Sequence, residues 1–151
     1  MDSMPGVKLD KPMNNGPQHH YVTQSALRHL DVWVRTGAAP PAFGRLKMKP
    51  GTVPGFEQDA LGNSLGGVRS PWVDVPVSLL SGVAFASTPQ LVGSTTLFDQ
   101  ATLDRLYPGG RSEYLGKFAA ALDKAISRGA ILPADREEIL ELARLGYHGN
   151  K

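Results

Sequence analysis

Residues 59–82 read DALGNSLGGVRSPWVDVPVSLLSG, and the reading of this stretch decides the fold. Ser64 stands between Gly62 and Gly66. These are the letters of the G-x-S-x-G elbow, in which a strained strand-to-helix turn holds a serine hydroxyl beside oxyanion donors. The flanks oppose that reading. The preceding GFEQDAL lacks the β-branched apolar run of a buried strand. After Ser64 come Gly66, Gly67 and then Pro71, so a helix starting at the serine would open on its weakest formers. The stretch is expected instead to be a glycine-rich loop leading into a short strand. From Trp72 to Val77 the sequence alternates, which places Val73, Val75 and Val77 on one face, and Pro76 confines the strand to a sheet edge. Asp74 falls on the opposite face, within reach of Arg69.

Outward from this stretch the patterns are helical. In residues 22–36, Ala26, Leu27, Leu30, Trp33 and Val34 fall at helical spacing, and Gly37 supplies a stop. This stripe is expected to be buried, against later helices or against another chain. Residues 99–107 form a short helix opened by Asp99. In 112–128, capped by Ser112, Tyr114, Leu115, Phe118, Leu122 and Ile126 trace a second strong stripe. Pro133 opens a last helix over 133–145, with Ile139, Leu142 and Ala143 on its buried face, so the two form a hairpin. Residues 1–16 read as an irregular arm, and 17–151 as a single domain whose 38–97 segment holds the loops and short strands.

The same residues carry a resemblance. GNSLGGVRSPWVDVPVSLLSG resembles the pattern G-N-x-x-G-G-[VI]-R-[ST]-P-x-V-D-V-P-V, followed by S-G, of the C-terminal part of the α/β-hydrolase domain proteins. NNGPQHHYV with WVRTGAAPP, LVGSTTLFDQATLDRLYP and EYLGKFAAALDKAISRGAILPAD fit the same family in order and spacing. The resemblance implies a chain corresponding to the end of a larger protein, whose elbow strand and histidine loop precede everything present here. It also implies that residues 22–36 are a helix packing on the sheet, and that the Ser64 position is often a small, non-nucleophilic residue. The expected fold is therefore mainly α, with a few short strands and long irregular Pro/Gly-rich loops. It resembles the C-terminal part of an α/β-hydrolase and not a complete one.

Composition narrows the function. The 151 residues include no cysteine, which excludes thiolate metal sites, disulfides and cysteine nucleophiles. With 17 glycines and 12 prolines, long irregular connections are expected. No apolar run approaches the roughly 18 residues of a membrane span, and no signal-peptide core opens the chain, so it reads as cytoplasmic with no membrane partner. The net charge of +2 is dispersed. The one basic cluster, Arg45-Leu46-Lys47-Met48-Lys49, lacks interleaved aromatics, so no nucleic acid is expected. His19 and His20 are adjacent, but no i,i+4 His or Glu completes a metal set, so neither metal nor cofactor is expected.

Three functions fit a small-molecule substrate or a partner chain. The first is an esterase- or lactonase-type hydrolase on a small apolar substrate, with Ser64, His19 or His20, and Asp74 or Asp59 as the chemically suitable trio. The second is an isomerase, cyclase or lyase. There His19, His20, Asp59 and Asp74 would supply acid and base, Arg69 would bind an anion, and Trp72, Tyr21, Trp33, Phe43 and Phe85 would wall the pocket. The third is a non-catalytic chain acting through a partner or as a homodimer.

Overall fold

The computed structural model describes residues 3–4, 7–8, 16–51, 55–82 and 93–150. Ser3–Met4 (β1) pairs antiparallel with Val7–Lys8 (β2). Gln18–Thr36 forms α1, Pro71–Asp74 the single turn α2, and Ser78–Ser81 the strand β3. Ser94–Leu97 (β4) lies antiparallel to β3, with Ser78 opposite Leu97 and Ser81 opposite Ser94. Gln100–Leu106 (α3), Gly110–Ser127 (α4) and Arg136–Gly146 (α5) complete the chain, α5 being entered through a 3-10 turn at Pro133–Asp135. The architecture is mainly helical with two-stranded antiparallel ladders, as the sequence led one to expect.

The core forms around α4. Tyr114, Phe118, Leu122 and Ala125 recur at spacings of three and four, so they share one face and are buried together. They meet Ile139, Leu140 and Ala143 of α5, Leu103 of α3, and Tyr107, Ile131 and Tyr147 from the connections. Through this core runs a chain of rings. Tyr21 stacks on Trp72 at 5.8 Å, Trp72 meets the Phe118 edge at 5.5 Å, and Phe118 meets Tyr114 at 5.6 Å. Tyr114 in turn touches Tyr107 at 5.2 Å and Tyr147 at 5.0 Å. Each such pair contributes about 0.5–1.5 kcal/mol beyond the area it buries. The rings tie α1, α2, α4 and both flanks of the hairpin into one unit.

The helix ends follow local chemistry. Gly129 terminates α4 at φ 75°, where its N–H donates to Ile126 and that of Ala130 to Ala125, the paired bonds of a Schellman motif. Asp99 caps α3 by accepting the Thr102 N–H at 2.9 Å, which holds its carboxyl below the usual range. Ser112 does not cap α4. That helix begins two residues earlier, and the Glu113 carboxylate reaches back to the Gly109 N–H at 2.7 Å.

Two further expectations change. Residues 72–77 are not one strand: Ser70 and Pro71 open the helical turn α2, and extended pairing begins only at Ser78. Pro71 at the first helical position has its φ preset for a turn, and winding there carries Trp72 onto Tyr21 and Phe118. Packing of one large ring outweighs the alternating valines. Nor is the α1 stripe buried. Its buried residues are Tyr21 and Ser25, whereas Leu27 is 60% exposed, Leu30 and Trp33 each 49%, and Val34 78%.

Tyr107 and Tyr114 make stability depend on alkaline pH. Burial, first of all, pushes both phenols well above their ordinary value of 10. A raised folded-state pKa leaves stability intact below the unfolded-state value and removes it above, because only the unfolded chain then releases the proton. The urea midpoint is expected to be flat up to about pH 9.5 and to fall beyond about pH 10. The Tyr114→Phe variant should show a shallower fall. Tyr107→Phe should in addition lose about 1–3 kcal/mol at pH 7, because the Tyr107 hydroxyl donates to the Pro76 carbonyl at 2.7 Å inside the core.

Candidate functional site

The loop leading into α2 is built on backbone hydrogen bonds. Lys47 donates its N–H to Leu65, Leu65 to Glu57, and Glu57 back to Lys47, each at 2.9 Å. Three extended segments thus close into a ring, flanked by the bridges Leu46–Gly66, Met48–Phe56 and Gln58–Ser64. Gly66 has φ 80°, and a Cβ there would lie inside van der Waals contact of the Arg45 carbonyl oxygen. Glycine is required at that position by both conformation and space.

Arg69 locks the ring to α2. Its Nε donates to Asp74, Nη1 to the Ser64 carbonyl at 2.8 Å, and Nη2 to the Val73 carbonyl at 3.2 Å and Asp59 at 3.5 Å. Asp59 also accepts the N–H groups of Leu61 at 2.9 Å and Asn63 at 3.0 Å. Asn63 is 2% exposed and accepts the Leu80 N–H through Oδ1, joining the loop to β3. A planar guanidinium with five N–H donors suits this convergence of carboxylates and carbonyls.

The residues singled out in the sequence fall into separate groups. Asp59, Ser64, Arg69 and Asp74 come together, but as a staple in which both carboxylates face the guanidinium. Ser64 has no positive φ and enters a bridge instead of a helix, so the backbone is not that of an elbow. Among the described residues no hydrogen bond joins its hydroxyl to a histidine. His19 and His20 are exposed on the first turn of α1, and His20 Nε2 accepts from Gln24 at 2.9 Å. Tyr21 and Trp72 stack on each other within the packing just described, while Trp33 and Phe43 line an apolar groove beside α1. Phe85 lies outside the described residues.

One junction was not legible in the sequence. The Gly129 carbonyl accepts the Ser25 hydroxyl at 2.8 Å and His29 Nε2 at 2.9 Å, so α1 is pinned to the end of α4. Ser25 and His29 are four apart and share a helical face. That spacing was the available signal, but nothing in sequence announces a bond to a glycine 100 residues away.

The staple makes a direct prediction. Arg69→Lys keeps the charge but cannot reproduce the fork, and is expected to cost about 1–3 kcal/mol in urea unfolding. Hydrogen exchange should speed at the amides of Lys47, Glu57 and Leu65, while the α4–α5 amides keep their order of protection.

Comparison with curated proteins and with solved structures returns no match to this chain. The family model described as alpha/beta hydrolase domain matches residues 2–141. That span takes in the ring, the Arg69 staple, α1 to α4 and the first half of α5. The chain belongs to the α/β hydrolase domain family.

Proposed function

We propose that this chain serves as a helical wall of an α/β hydrolase acting on a small apolar ester or lactone. In this reading α1 lies against a β-sheet supplied by a partner chain or another portion of the same protein. One observation carries the reading. Leu27, Leu30, Trp33 and Val34 form a stripe that stays about half exposed or more, Val34 and Leu27 most of all, and burying such a side chain fully is worth about 1.5–3 kcal/mol. Helices of α/β proteins meet that requirement by lying on a sheet.

The catalytic serine would be supplied from outside residues 59–82. Ser64 has no positive φ, and Asp59 and Asp74 pair with Arg69 instead of with a histidine among the described residues. The same engagement weakens the proton-transfer reading. His19 and His20 stand in water, where the shielding that favours general-base work is absent.

Two measurements test this. The chain alone, with Ser64→Ala and His20→Ala beside it, is expected to turn over p-nitrophenyl acetate and butyrate no faster than buffer. Hydrolysis abolished by Ser64→Ala would overturn the proposal. In sedimentation the chain should associate as concentration rises, through the open stripe, and the Leu27→Lys/Val34→Lys pair should abolish association with helix content unchanged. Association that the pair leaves unchanged would also overturn it, because another face would then be the adhesive one.

A further inference from the structure

The groove between α1 and the proline-rich segment 38–45 has a volume of about 250 Å³. Val22, Ala26, Leu30 and Trp33 form one wall, and Pro41 and Phe43 the other. A cavity of about 150 Å³ holds benzene, and pockets for drug-sized ligands begin near 300 Å³. The available space therefore suits a molecule of about two fused rings.

The walls are held in place. Pro41 approaches Gly129 so closely that a Cβ on that glycine would lie 2.9 Å from its Cγ. The Arg128 guanidinium sits over the Phe43 ring at 5.5 Å, a cation–π contact that fixes the outer wall. The shape is thus built from a helix, two prolines and a helix terminus.

The polar chemistry is narrow. Gly129 also lines the groove, but its carbonyl already accepts from Ser25 and His29, so both lone pairs are taken. A carbonyl can only accept, so His29 Nε2 carries the proton of that bond. In the neutral ring Nδ1 then keeps a lone pair, and among the described residues it has no partner. His29 lines the groove, and a ligand that hydrogen-bonds its Nδ1 must bring a donor.

We infer that this groove is a binding site for a small aromatic alcohol of the phenol or naphthol class, its rings between α1 and Pro41–Phe43 and its hydroxyl donating to His29 Nδ1. The site prefers an alcohol over the hydrocarbon, and over an ether or ketone of the same size. This goes beyond the proposed docking of α1 on a sheet and does not depend on it: Leu27 and Val34 carry the docking test, Ala26 and His29 this one.

The test uses 2-naphthol and naphthalene at pH 8, read by fluorescence. Trp33 lines the groove and the other tryptophan, Trp72, is packed between Tyr21 and Phe118, so ligand should quench Trp33 saturably and the Trp33→Phe variant should lose the response. Naphthol is expected to bind about three- to tenfold tighter than naphthalene, the size of one net hydrogen bond. His29→Phe should erase that ratio while naphthalene still binds. Ala26→Phe, on the exposed side of α1, and Val68→Trp, from the loop after Gly67, should each fill the groove and abolish binding with the circular dichroism unchanged. Absence of saturable quenching, equal affinity for the two compounds, or binding that survives both filling variants would overturn the assignment.

Discussion

The structure depends first on where Trp72 goes. Its indole stacks on Tyr21 of α1 and meets the Phe118 edge on α4, so one side chain joins the first helix, the glycine-rich loop and the hairpin core. Large rings suit this place because they bury the most area per ordered torsion and gain from their mutual orientation. Winding Pro71–Asp74 into a helical turn is the condition for that placement. The alternating valines that would have favoured a strand give way to it, and Val75 and Val77 end as partly buried flanks of the same core.

Once Trp72 is placed, Asp74 lies one turn from Ser70 and beside Arg69, and the staple closes. Arg69 answers two carboxylates and two carbonyls, which are the groups a tight, glycine-rich loop would otherwise leave with few partners. The three-way ring of Lys47, Glu57 and Leu65 needs Gly66 for space and is held at its base by the same guanidinium. Asp59, Asp74 and the Ser64 carbonyl thus hold the loop together through Arg69. Both carboxylates are oriented by the same arginine, and among the described residues neither bonds a histidine.

The opposite situation holds on α1. One side of that helix is fixed by Tyr21 in the core and by Ser25 and His29 on Gly129, which sets its rotation. With the rotation set, the Leu27–Val34 stripe turns outward and His29 is left beside an apolar groove. The exposed apolar surface thus follows from which face the aromatic and carbonyl contacts claim. It does not follow from which face is the more apolar.

The sequence by itself determined the local elements. Period 3.6 in residues 22–36 and 112–128, proline at 133 and glycine at 37 and 129 mark helices and their ends through backbone constraints that act over a few residues. The mainly helical class and the family resemblance were legible on the same grounds. Tertiary structure alone decided the turn at Pro71–Asp74, the joining of Asp59 to the Arg69–Asp74 pair, and the outward face of α1. The reason is distance along the chain. Gly129 lies 100 residues from His29, and Trp72 lies 46 residues from Phe118 and 51 from Tyr21. Pairings at such separations are selected by the packing of the whole and leave no periodicity in the letters.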